Sequence, residues 1–137
     1  MGLWINDGSI EIKLQKEGII LVLASGRTIE SMRTVAHALD LKKYGGYIIG
    51  ANGTMVQKAN EEEPFVQYNH HIDDIHRYID AAQEIGLHYS IEQNQVLLYS
   101  HLDHSVLYER DHCKIEIKPI IDHKRMITQA FPKLCLN

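Results

Sequence analysis

The chain has 137 residues, 45% of them hydrophobic and 23% charged, and 14 basic against 18 acidic side chains leave a formal net charge of −4 with a pI near 6.1. Such a balance suits one globular domain, or a core piece carrying a small appendage, with enough apolar residues to bury a real core. Scattered cations argue against nucleic acid and against a polybasic membrane surface, no segment reaches bilayer-spanning length, and Cys113 and Cys135, without CxxC spacing or a secretory signal, are expected to stay reduced in the cytoplasm.

Met1 to Gly8 offers apolar Trp4 and Ile5 and then the turn chemistry of Asn6-Asp7-Gly8. From Ser9 the helix formers Glu11, Lys13, Leu14, Gln15, Lys16 and Glu17 run into Gly18, which predicts a short helix with Gly18 just past its end. Ile19 to Ala24 is six consecutive apolar residues without polar alternation, the pattern of a strand buried on both faces in a parallel sheet. It stops at Ser25-Gly26-Arg27, and Thr28 is placed to cap a helix through Leu39 whose Ile29, Met32, Ala36 and Leu39 share one face. Lys42 to Gly46 reads as a connection and Tyr47-Ile48-Ile49-Gly50 as a second short strand, so helix, strand, helix, strand gives βαβ grammar with parallel strands.

Beyond Gly50 the grammar changes. Ala51-Asn52-Gly53-Thr54 is a turn, and Met55–Gln57 and Phe65–Tyr68 read as two strands joined across the Lys58 to Pro64 loop. Asp73 or Asp74 caps a helix with Ile72, Ile75, Ile79 and Ala82 in one stripe, closed by Gly86. Leu87–Ile91 and Gln95–Tyr99 read as strands, and Cys113 to Lys118 alternates like a strand with one solvated face, Cys113 packing as a small hydrophobe. Asp122 to Ala130 holds a helical turn or two, and Phe131 to Asn137 is an irregular tail. The boundary is placed near Gly50 to Gly53, dividing the chain into residues 1–50 and 51–137.

A small hydroxyl residue and a glycine between a strand end and a helix start make a sensible anion site, because backbone N–H groups and the helix dipole converge there. Ser25, Gly26 and Arg27 are therefore candidate phosphate-binding residues. On the residues alone, Ser25 reads first as a strand end and local cap, Arg27 equally as a solvated or ion-paired side chain, and Asn52-Gly53 first as an ordinary turn needing positive φ. Nine histidines raise the question of a metal, notably His70-His71 with Asp73-Asp74, and His101 with Asp103 and His104. Adjacent histidines in a strand point to opposite faces, and no compact four-ligand set is visible, so no metal ligand is assigned.

With these pieces in place, the chain resembles the haloacid dehalogenase (HAD) superfamily, specifically the Cof-type (IIB) sugar-phosphate phosphatases. The resemblance runs from Glu17-Gly18-Ile19 through Ala24-Ser25-Gly26-Arg27, across Tyr47 to Gly53, and into the helix ending Glu84-Ile85-Gly86-Leu87. It implies an incomplete Rossmann-like α/β core followed by an incomplete α+β cap module of type C2B. It also implies that Ser25 lies in the second catalytic motif, whose hydroxyl and backbone N–H hold the transferring phosphoryl group, and that Asn52 and Gly53 mark the hinge into the cap.

The family's Asp-x-Asp-Gly-Thr motif, which supplies nucleophile and general acid beside Mg²⁺, is absent. Ile5-Asn6-Asp7-Gly8-Ser9 echoes it, but Ile5 stands at the nucleophile position, and too few residues separate Gly8 from Gly18 for the usual loop and helix. Neither the later lysine nor the Gly-Asp-x-x-x-Asp-like metal motif appears between Pro119 and Asn137. The resemblance thus implies an Mg²⁺-dependent hydrolase of small phosphorylated metabolites whose metal ligands and catalytic residues this chain lacks. The other reading is a truncated, inactive remnant that binds a phosphorylated ligand or self-associates, as a homodimer, over sheet edges left unpaired.

Overall fold

The computed structural model describes residues 8–137, and the echo at Ile5, Asn6 and Asp7 lies outside them. The chain divides between Gln67 and Tyr68 into two compact units. Each has its own four-stranded sheet and its own hydrophobic core.

In the first unit, α1 (Ser9–Lys16) ends as the glycine predicts: Gly18 sits at φ 88°, its N–H donates to the Gln15 carbonyl and the Ile19 N–H to that of Leu14. That pair of bonds is a Schellman closure, which only a residue at ease with positive φ completes without strain. The buried Gln15 Nε2 donates to the Leu39 carbonyl at 2.7 Å, tying α1 to the end of α2 (Ile29–Ala38). α2 is capped by Thr28, whose Oγ1 accepts from the Ser31 N–H at 3.4 Å. Its Ile29, Met32 and Ala36, followed by Leu39, are all buried, as the helical spacing predicts. The expected connection at Lys42 contains a single helical turn, α3 (Leu41–Tyr44), entered through a left-handed Asp40 and left through Gly45 at φ 75°.

The strands run in sheet order β1 (Val22–Ala24), β2 (Tyr47–Gly50), β3 (Met55–Lys58), β4 (Val66–Gln67). β1 and β2 are parallel, with Leu23 opposite Ile48, while β3 and β4 fold back antiparallel. One expectation is overturned here. The strand from Ile19 is not buried on both faces: it narrows to three residues at the sheet's edge, with Ile20 60% and Val22 51% exposed. Among the described residues β1 pairs with β2 alone, so half of its apolar run has nothing to cover it. The division of the chain also lies later than residues 50/51, because β3 and β4 hydrogen-bond back onto β2 and so belong to the first sheet.

The second unit packs α4 (Ile72–Glu84) on the sheet β7 (Glu116–Pro119), β6 (Val96–Tyr99), β5 (Tyr89–Gln93), β8 (Cys135–Leu136). Ile75 and Ile79 are fully buried against Tyr89, Ile91, Leu98, Ile127 and Phe131, each isoleucine contributing roughly 1.5–3 kcal/mol. The cap of α4 is His71 rather than Asp73 or Asp74: its Nδ1 accepts from the Asp73 N–H at 3.4 Å, and both aspartates occupy the first turn, where the dipole favours them. Gly86 closes the helix at φ 75°. β5 and β6 form a two-residue hairpin over Asn94 (φ 50°) and Gln95 (φ 63°), the backbone of a type I′ turn.

Two further corrections concern the end of the chain. Cys113 terminates α5 (His104–Cys113), Lys114 leaves it at φ 56°, and the strand begins only at Glu116. α5 carries one buried residue, Val106, so it lacks the stripe that makes a helix visible in sequence. It links β6 to the parallel β7. After Asp122 caps the short α6 (His123–Met126), the tail is ordered by pairing: β8 runs antiparallel to β5, and His88 and Asn137 exchange both backbone hydrogen bonds at 2.8 and 2.9 Å.

Asp103 caps α5 with Oδ1 accepting from the Val106 N–H at 3.0 Å, and that bond holds its carboxyl below the usual carboxylate range. A depressed folded-state value stabilises the fold above the unfolded value and is lost as pH falls through the folded one. Asp103→Ala is therefore expected to cost about 1 kcal/mol in urea denaturation at neutral pH. The gap to the parent should shrink once pH drops below about 4.

Candidate functional site

The residues singled out in sequence come together where β1 and β2 end. Both parallel strands finish on the same side, and three backbone hydrogen bonds join the first segment to the end of β2 and the turn that follows it. The Ser25 N–H donates to the Ile49 carbonyl at 2.9 Å, carrying the ladder one step past β1. The Asn52 N–H donates to the Ser25 carbonyl at 3.4 Å, and the Ala51 N–H to the Arg27 carbonyl at 2.6 Å. Within the first segment the Arg27 N–H donates to Ser25 Oγ at 3.3 Å, which fixes the hydroxyl in the loop rather than on the strand face. A hydroxyl that accepts one such bond keeps its own proton to donate.

The turn after β2 is held in an uncommon shape. Ala51, Asn52 and Gly53 have successive positive φ values of 49°, 59° and 94°. Asparagine and glycine tolerate this region, whereas alanine there costs of order 1–2 kcal/mol. Ala51 is kept in place by burial in the core and by its carbonyl, which accepts from Thr54 Oγ1 at 2.8 Å and from the Thr54 N–H at 3.3 Å. Non-glycine residues persist in such conformations where surrounding structure over-determines them, as it does at ligand-binding turns.

Gly50 and Ala51 belong to this arrangement although the sequence pattern singles out neither. A Cβ on Gly50 would stand 3.0 Å from the Arg27 carbonyl oxygen, 3.0 Å from Ile29 Cγ1 and 3.1 Å from the Ile29 N. Glycine here lets the loop carrying Ser25 and Arg27 lie flat against the end of β2. The signal was a glycine terminating an apolar run, but nothing local says what approaches it. Asn52 and Gly53 lie inside the first unit, whose sheet continues through β3 and β4 to Gln67, not at the division between the units.

The polar groups the sequence supplies at this loop are the Ser25 hydroxyl and the Arg27 guanidinium, with no carboxylate beside them. That set suits an anion and does not fit Mg²⁺, which requires carboxylate and other oxygen ligands in octahedral array. Among the described residues no group of three or more His, Cys, Asp or Glu side chains is placed to hold a metal ion, and no helix is long and apolar enough to cross a membrane.

Residues 8–136 match the family of haloacid dehalogenase-like hydrolases. The chain belongs to that family. Solved HAD structures share its fold: a haloacid dehalogenase-like hydrolase from Bacteroides thetaiotaomicron superposes with a TM-score of 0.78 at 24% identity, over 90% of this chain and 47% of its own. The HAD-superfamily phosphatase BT1666 from the same organism gives 0.68 at 20% identity, over 96% and 48%. The HAD subclass IIB sugar phosphatase BT4131 gives 0.65 at 10%, over 90% and 48%. The chain thus spans about half the length of these solved proteins. A search among curated proteins gives no match.

The close approach at Gly50 yields a direct test. Gly50→Ala is expected to destabilise the first unit by about 1–3 kcal/mol in chemical denaturation, since two of the three atoms that the new methyl meets are backbone and the third belongs to the fully buried Ile29. Gly53→Ala, where a Cβ meets nothing within 4 Å but φ is 94°, should cost about 1 kcal/mol through backbone strain alone.

Proposed function

We propose that this HAD-family chain forms the phosphate-holding part of a phosphatase for small phosphorylated metabolites, sugar phosphates among them, and that by itself it binds the phosphoryl group without cleaving it. The observation that carries this reading is the lacing of the Ser25–Arg27 loop to the left-handed Ala51–Gly53 turn at the C-terminal ends of two parallel strands. Ligands of open α/β sheets sit at such strand ends. In this reading the Ser25 hydroxyl donates to a phosphoryl oxygen, Gly26 lets phosphate approach the backbone, and the Arg27 guanidinium supplies the opposing charge. Asn52 and Gly53 hold the opposite wall. The naming of BT4131 as a sugar phosphatase supports the substrate class.

Cleavage needs more than this loop. Attack on phosphorus requires a nucleophile, and at the position where the family has its aspartate this sequence has Ile5, which carries no lone pair. What Ser25 and its neighbours contribute is positioning, which alone is a small part of a rate enhancement. Mg²⁺, expected of the family, finds no fitting ligand set among the described residues, so no step is assigned to it.

Purified chain is expected to hydrolyse p-nitrophenyl phosphate no faster than a Ser25→Ala control, with Mg²⁺ or with EDTA. Inorganic phosphate should nevertheless shift the amide resonances of Gly26, Arg27 and Asn52 saturably, with affinity about tenfold weaker in Ser25→Ala, the worth of one hydrogen bond to a charged group. Metal-dependent turnover abolished by Ser25→Ala would show that a nucleophile is present after all. Absence of saturable shifts would remove the phosphate reading.

One observation favours a second role alongside the first. The uncovered apolar edge of β1, with Ile19, Ile20 and Val22 about half exposed or more, suits pairing with a second copy. Sedimentation as a dimer that reverts to monomer in Val22→Lys would support it, and a monomer at all accessible concentrations would discard it.

A further inference from the structure

The first unit contains a second concavity, at the opposite end of its sheet from Ser25. β3 runs antiparallel to β2, so that Gly50 faces Met55 near the laced loops while Ile48 faces Gln57 toward the other end. A cavity of about 470 Å³ is lined there by residues of α2, β2 and β3, with Lys42 of α3. Its floor is apolar, made by Ala36 and Ile48, with Ala59 beside them. Gln57, only 2% exposed, is fixed in the same floor by an Nε2 hydrogen bond to the Glu61 carbonyl.

The rim carries the opposite character. Arg33 and His37 are four residues apart on α2 and so project from one face of it, and Lys42 approaches from α3. Arg33 has only a solvent-exposed contact to Glu30, at 3.4 Å, and Lys42 forms no ion pair among the described residues. Two cations and an imidazole over an apolar floor, in a concavity of ligand size, complement a molecule with an apolar body and one anionic end.

We propose that this cavity is a binding site for a small amphipathic anion, a carboxylate or phosphate ester attached to an aromatic or short acyl body. The apolar part rests on Ala36 and Ile48, and the anionic end lies between Arg33 and Lys42, with His37 as a further hydrogen-bonding group. This goes beyond the phosphate site at Ser25, and it uses none of the same residues.

The test is an NMR titration of the intact chain with 4-phenylbutyrate, its neutral analogue 4-phenylbutanamide, and inorganic phosphate. Saturable shifts of the Ile48 and Ala36 methyls and the Gln57 side-chain amide are expected with 4-phenylbutyrate. Affinity should fall about fivefold for the neutral analogue and by a similar factor in Arg33→Ala/Lys42→Ala, both exposed positions whose replacement leaves the core intact. Equal binding of acid and amide, or no saturation by either, overturns the proposal. So do shifts that follow protein concentration instead of ligand, which would mean that a second copy fills the cavity. Inorganic phosphate acting on Gly26 and Asn52 reports the Ser25 site separately, so failure of one site is not mistaken for failure of the other.

Discussion

The hydrogen bond from the Ala51 N–H to the Arg27 carbonyl, at 2.6 Å, joins two pieces of chain that sequence separates by two helices and a strand. It requires Gly50 without a side chain and Ala51 at positive φ, and both conditions are met at the expense of local conformational freedom. In return the Ser25 loop has one shape. Its hydroxyl accepts from the Arg27 N–H, its carbonyl from the Asn52 N–H, and its own N–H completes the β1–β2 ladder. A loop at the mouth of a sheet is ordinarily the mobile part of a fold. Here each segment braces the other, which is what a site for a compact anion needs if binding is not to spend its energy on ordering the loop.

The same unit is braced on one side and open on the other. α2 brings Ile29, Met32 and Ala36 down onto Ile48 and Met55, so one face of the sheet is well packed. β1, by contrast, meets water with residues as apolar as those of a buried strand. An unpaired strand edge of this composition is a point of association in any protein that carries it. The apolar–cationic cavity lies in the same unit, lined by residues of α2, β2 and β3 with Lys42 of α3.

The second unit is self-sufficient in a different way. Its core is a single stripe of α4 laid on a mixed sheet, and the sheet is completed from both ends of the segment: α5 returns the chain to place β7 beside β6, and the C-terminal residues come back to place β8 beside β5. Ile127 and Phe131, from the stretch between α6 and β8, fill the core that Ile75 and Ile79 begin.

What the sequence by itself determined were the features written in local chemistry. The α2 face, the Thr28 cap, the glycine closures at Gly18 and Gly86, the parallel pairing of β1 with β2 and the positive-φ turn at Asn52-Gly53 all follow from residue type and spacing within a few positions. The family was legible for the same reason, since the resemblance rests on short pieces read in order: an apolar strand followed by Ser25-Gly26-Arg27, then Tyr47 to Gly53, then the helix ending at Gly86. What only the tertiary structure decided were relations between distant segments. Six apolar residues from Ile19 look buried on both faces until the sheet order puts β1 at an edge. His71 rather than an aspartate caps α4 because the chain enters the helix at least two residues earlier than the capping preference suggests. α5 has no apolar stripe to announce it, and β8 has order only because β5 is there to pair with it. In the site the hydroxyl and the cation were visible in the sequence. Gly50 and Ala51 were not, because what makes them necessary is the close approach of a loop more than twenty residues away in the chain.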